Sequence, residues 1–241
     1  MFPLIDTIPA RRTPWMTYGL ITVNVLIFFY ELSLGNAVRD LFMQWGVIPQ
    51  QIWHAQSPAD YLPLFTHMFL HGGWGHLLSN MWALWIFGDN VEDRMGHVRY
   101  LIFYLTTGVG AALVHSGLHP LAAVPSVGAS GAISGVMGAY LLMFPYSRII
   151  TILPLLFYAY MMAIPAYFYI GIWFLGQLWS GILSLTLSGA SQIAFWAHIG
   201  GFVAGLGLSR IFDQRRVRSY YHRYVMRRRD VYPHQTRTLK Y

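Results

Sequence analysis

One serine, two histidines and one asparagine stand in this chain where they could carry out nucleophilic acyl transfer. Ser130 lies in Gly128-Ala129-Ser130-Gly131, His198 in Ala197-His198-Ile199-Gly200-Gly201, and His76 and Asn80 in His76-Leu77-Leu78-Ser79-Asn80. A hydroxyl beside an imidazole base is the minimum for an activated serine, and imidazole and carboxamide N–H groups are donors of the kind that line an oxyanion hole. Each stretch lies in a segment too apolar for water, so the chemistry would be that of a serine hydrolase built inside a bilayer.

Taken singly, each motif has a duller reading. Gly, Ala and Ser enrich helix contacts in membranes, so Ser130 alone could be packing surface. Pro125 and Gly128 precede it in a loop that delivers it to a helix N-terminus, where free N–H groups and the positive dipole end can hold an oxyanion. His198 could be polar glue between helices, but Gly200, Gly201 and Gly205 form a GxxxG face, matched by Gly131, Gly135 and Gly138 after Ser130. Two such faces let backbones approach closely, and a serine and its base must come within about 3 Å. His76 and Asn80, four apart, share one helix face, as an oxyanion pair or as a hydrogen-bonded polar pair.

His67 and His71 form a second pair at this spacing. A metal site would need a third ligand and a base at defined spacing, and no HExxH occurs, so they read as hydrogen-bonders that order a loop. No metal or cofactor is expected. Glu92-Asp93-Arg94-Met95-Gly96 reads as a charged turn closed by a glycine cap.

These residues must be positioned by membrane helices. Of 241 residues 56% are hydrophobic and 10% charged, against about 25% charged in soluble domains. Mean hydropathy is +0.44. The absence of cysteine excludes disulfides, thiol catalysis and Cys-based metal sites. Residues 1–12 are too short and proline-broken for a cleavable signal. A span needs about 20 apolar residues. Residues 15–34, 76–95, 97–117, 130–145, 166–187 and 193–212 supply six, the fourth the shortest and therefore expected to start inside the membrane. Residues 35–75 read as a long, partly amphipathic interfacial loop, and 148–165, broken by Pro154 and Pro165, as a buried or interfacial connection.

Arg11, Arg12, Arg94, Arg99, Arg148 and the tail after Arg210 all fall on one face of this arrangement, and the opposite loops carry only Arg39, which makes the termini cytoplasmic. Ser130, His198, His76 and Asn80 then all fall at the outer ends of their helices. Sixteen Lys and Arg against nine Asp and Glu give +7. Most of the excess sits in the tail, residues 214–241, which fits anionic lipid head groups better than nucleic acid. Residues 1–213 form the membrane domain.

With these motifs in place, the chain resembles the rhomboid intramembrane serine proteases of the six-helix bacterial type over residues 15–212. The resemblance rests on GASG at Ser130, AHxGGxxxG from Ala197 to Gly205, HxxxN at His76 and Asn80, and ExxxG from Glu92 to Gly96. It implies an all-α six-helix bundle with a Ser130/His198 dyad and no aspartate, and an oxyanion hole of His76, Asn80 and the Ser130 N–H. It also implies single-pass transmembrane substrates cut near the outer face and a lateral gate at the fifth span, while the absence of a presequence and the small size favour a bacterial plasma membrane. Two departures stand out. Many relatives carry an aromatic residue, stacked on the histidine, where this chain has Ser134, and many have a Trp-Arg pair in the first loop, where Trp45-Gly46 stands nearest. Imidazole orientation must then come from other contacts, and Ser134 is a second hydroxyl on the face of Ser130. A transporter is the rival class, against which stand the clustering of polar groups on the outer half and the lack of an inverted repeat. A catalytically silent rhomboid-like client binder is the other rival.

Overall fold

The computed structural model describes residues 1–155, 158–186 and 195–214. Beyond Gln214, the basic tail lies outside the described residues. In chain order, β1 (Phe2–Asp6) leads to α1 (Trp15–Ser33), and the first loop carries three short helices, α2 (Val38–Trp45), α3 (Pro49–Trp53) and α4 (Pro63–Thr66). The long helices α5 (Trp74–Met95) and α6 (His97–Leu118) and the shorter α7 (Ser130–Met143) follow, then β2 (Arg148–Leu155), β3 (Tyr158–Pro165), α8 (Ala166–Thr186) and α9 (Phe195–Phe212). The segments expected from the sequence as spans are helical in their described parts, as α1, α5, α6, α7, α8 and α9.

By length and composition α1, α6, α8 and α9 can each cross a membrane. The C-terminal end of α5 instead carries Asp89, Glu92, Asp93 and Arg94, and the last three are buried. With 14 residues, α7 is about 21 Å long against a hydrocarbon thickness near 30 Å. It sits at the centre of the bundle, with residues Gly131 to Tyr140 all buried. The core around it is aromatic: Tyr100, Phe103, Tyr104, Tyr140 and Phe87 are almost completely buried.

Glycine sets how closely α7 and α9 approach. A β-carbon on Gly201 would collide with the carbonyl group of Gly131, and one on Gly205 with the backbone of Gly135. On α7, a β-carbon at Gly138 would stand 2.5 Å from the Phe202 carbonyl oxygen. The two small faces read from the sequence therefore meet with backbone against backbone, an approach no larger residue permits.

The all-α description holds for the bundle, but the 148–165 connection is an antiparallel hairpin, and β1 adds to it in the order β1-β2-β3. Ile149, Ile150, Thr151 and Ile152 favour extended backbone. The prolines that rule out a helix are compatible with this sheet. Pro154 lies beyond the last β1 pair, Phe2 with Ile152, and Pro165 ends the edge strand β3. The sheet lies at the end of the bundle shared by the start of α1 and the end of α7.

The ExxxG stretch does more than turn the chain. Gly96 does end α5 with φ of +79°. Glu92, however, accepts hydrogen bonds from the Met16 and Thr17 amides (2.9 and 2.8 Å) and from the Thr17 hydroxyl (2.7 Å). It serves α1 as an N-terminal cap from another helix, taking up amides that have no partner within α1. Arg94 pairs with Asp213 and fastens the end of α9 to the same point.

Candidate active site

Ser130 is the first residue of α7, and the chain reaches it through two anchors. Val47 and Ser126 exchange backbone hydrogen bonds (3.0 and 2.8 Å), tying the first loop to the segment before Ser130. The Gly128 amide donates to the His67 carbonyl at 2.9 Å, and the His67 ring is itself held by the Pro63 carbonyl at 2.9 Å. His67 is thus a loop-ordering residue through both backbone and ring. Burial pushes its pKa down to about 4, so the ring is neutral. His71 differs from the expectation, because it is held through its backbone amide, which donates to the Glu31 carboxylate (3.1 Å), while both its ring nitrogens are buried without a partner among the described residues.

His198, less than a turn into α9, brings Nε2 to 2.8 Å from Ser130 Oγ. On the far side of the ring, Nδ1 lies 2.7 Å from Oε1 of Gln177 in α8. A carboxamide oxygen can only accept, so Nδ1 carries the proton and Nε2 offers its lone pair to the serine hydroxyl. Trp173, one turn before Gln177, lies tilted beside the imidazole at 6.3 Å between centroids.

His76 is presented by the first turn of α5. Its Nδ1 accepts the Gly72 amide (3.4 Å), which leaves Nε2 as an N–H donor. Gly128 has φ of +128°, and a β-carbon there would stand 2.6 Å from Nε2 and Cε1 of His76 and 3.7 Å from Ser130 Oγ. Imidazole and hydroxyl therefore both border this one glycine, which needs φ > 0 as well as the missing side chain. Asn80, one turn further along α5, is buried at 5% exposure, and its Nδ2 has no hydrogen-bond partner among the described residues. A buried unpaired amide donor is costly unless something else completes it.

Ser134 is buried, and its hydroxyl donates to the Ser130 carbonyl at 2.6 Å, an i−4 bond that occupies its proton. The arrangement offers one hydroxyl with a base, together with an imidazole donor and the start of a helix nearby. It suits the attack of Ser130 Oγ on a carbonyl group and stabilisation of the oxyanion that forms. Gln177 had not been singled out in the sequence, since a lone Gln in an apolar helix has no spacing relation to Ser130 or His198.

Fold and site together define an integral membrane protein with a hydroxyl–imidazole centre, and comparison with known proteins gives the family. The Rhomboid domain model matches residues 50–215, and the chain belongs to the rhomboid family. It is 40% identical over 113 residues to Rhomboid-like protein 11, chloroplastic, of Arabidopsis thaliana, covering 47% of this chain and 40% of that one. It is 33% identical over 129 residues to Rhomboid protease GluP of Bacillus subtilis (strain 168), covering 53% and 24%. Over 225 residues it is 33% identical to RHOMBOID-like protein 1 of Arabidopsis thaliana, covering 83% and 53%. The chain thus spans between about a quarter and about half of the length of these relatives.

Proposed function

We propose that this chain is an intramembrane serine endopeptidase that cuts single-pass transmembrane proteins near the outer membrane face. The observation that carries the proposal is the 2.8 Å contact between Ser130 Oγ and His198 Nε2, in which Gln177 leaves Nε2 free to accept a proton. Membership of the rhomboid family and a relative named Rhomboid protease GluP support it.

In the proposed reaction His198 Nε2 takes the Ser130 proton as Oγ bonds to the scissile carbonyl carbon. The carbonyl oxygen becomes an oxyanion held by the Ser130 N–H, His76 Nε2–H and Asn80 Nδ2–H. Collapse breaks the C–N bond, and His198 returns the proton to the leaving amine. Water then attacks the acyl-enzyme by the same base, and the short α7 leaves room for that water to enter from the outer surface. Substrate must be extended at the cut, because a helix hides its carbonyls in hydrogen bonds, so helix-breaking sequences are preferred.

The distribution of arginines supports cytoplasmic termini, and a bacterial inner membrane is the proposed location. Residues 1–213 are the catalytic unit. Residues 214–241 are a basic tail that binds anionic lipids.

Fluorophosphonate labelling tests the nucleophile. Wild type and Ser134→Ala should label at comparable rates and Ser130→Ala not at all. Labelling that survives Ser130→Ala would assign the nucleophile to another hydroxyl, and wild type that neither labels nor cuts several substrates favours the client-binding reading.

A further inference from the structure

His198 is held on both sides, and only one of its partners belongs to the proposed chemistry. Ser130 Oγ meets Nε2, and Oε1 of Gln177 meets Nδ1 at 2.7 Å from the neighbouring helix α8. A free imidazole distributes its proton between two nitrogens, and the tautomer protonated on Nε2 cannot serve as a base toward Ser130. Ser134, where many of the rhomboid proteases that this chain resembles carry a stacked aromatic residue, instead turns its hydroxyl to the Ser130 carbonyl.

We propose that Gln177 is a positioning residue for catalysis: by accepting the Nδ1–H of His198 through Oε1, it fixes the tautomer and ring plane that aim the Nε2 lone pair at Ser130. This rests on the hydrolase reading of Ser130 and His198. When Nε2 takes the serine proton, the ring becomes a cation whose Nδ1–H donates more strongly, and the amide oxygen is already in place to receive it. In serine hydrolases with three members a carboxylate does this work. At this half-buried position a carboxylate would carry a desolvation penalty that an amide does not. A neutral amide orients the ring without that charge, and it leaves the imidazolium less stabilised than a carboxylate would.

The test uses the full chain in liposomes as wild type, Gln177→Leu and Gln177→Glu, with fluorophosphonate labelling rate, kcat and KM followed between about pH 5 and 9. Leucine removes the acceptor. The labelling rate and kcat should fall by about 10-fold or more, a share of the 10²–10⁴ that general acid–base catalysis supplies, with KM unchanged. Glutamate keeps an acceptor oxygen in place and adds charge. It should restore the rate at the alkaline end and move the acid limb of the profile to higher pH, because the carboxylate favours imidazolium. The titratable groups facing His198 are His76 of α5 and His115 of α6, and both are unchanged in these variants.

If Gln177→Leu folds poorly, ¹⁵N shifts of the His198 ring in wild type decide, and a proton found on Nε2 in the resting state overturns the proposal. So does an active Gln177→Leu with wild-type kcat and labelling rate, or a loss confined to KM and thermal stability that glutamate does not restore. Wild type that fails to label or cut overturns the hydrolase reading, and this proposal falls with it.

Discussion

At the scale of single residues, the four side chains picked out for their chemistry differ in what holds them. Ser130 and His198 hold each other, and His76 is given its tautomer by the Gly72 amide. Asn80 alone ends in a buried donor with nothing among the described residues to donate to. Such a donor strengthens its bond only when an oxyanion forms, so Asn80→Ala should lower kcat by about 10² to 10³ while leaving KM nearly unchanged. Single-turnover kinetics on a peptide substrate would check this, and a change in KM alone would assign Asn80 to ground-state binding. Gly128→Ala is the steric counterpart, since its methyl group would meet the His76 ring at 2.6 Å in a backbone conformation that alanine resists. Activity should be lost with this variant. The HxxxN pair was legible because a helix turns fixed spacing into a shared face, and Ser130 and His198 because a glycine face follows each of them. Gln177 was not, because its relation to His198 arises only when α8 packs on α9.

At the scale of elements, the closeness of α7 and α9 makes the serine–histidine contact possible. It could be read in advance because absence of a side chain is a local property. Gly131, Gly135, Gly138, Gly201 and Gly205 each leave a gap whatever the rest of the fold does. Gly205→Ala should therefore force the helices apart against the Gly135 backbone, lowering both thermal stability and labelling at Ser130. A variant that keeps wild-type melting and labelling would show that the interface is looser than this packing requires. The β-hairpin was less legible. Prolines at 154 and 165 correctly argued against a helix, but strand formation depended on β1, nearly 150 residues earlier in the chain. The cap that Glu92 provides to α1 was hidden for the same reason, its partners Met16 and Thr17 lying 76 and 75 residues away.

At the scale of the whole molecule, stability should depend on pH through groups that lie outside the spans. His67 has its pKa lowered from 6.5 to about 4 by burial, so the fold favours the neutral ring. Its contribution is complete above pH 6.5 and is lost as pH falls toward 4, on the order of 3 kcal/mol. Asp6, in β1, works in the opposite direction. Burial raises its pKa from 3.8 to about 6, so its protonated form is favoured, and stability drains away as pH rises from 3.8 through 6. Thermal unfolding in detergent across this range separates them: His67→Asn should flatten the acid-side loss, and Asp6→Asn should remove the decline toward pH 6. Parallel curves for wild type and both variants would contradict these assignments. Six helices and their order could be read from composition and length. The three-stranded sheet at one end and the anchoring of the first loop to the segment before Ser130 required the folded chain.

The most direct measurement is cleavage of a single-span substrate with a helix-breaking segment near its outer end, in liposomes containing wild type, Ser130→Ala or His198→Ala. The account predicts one cut near that end by wild type and none by either variant. A cut by Ser130→Ala, or no cut of any such substrate by a wild type that is folded, would contradict it.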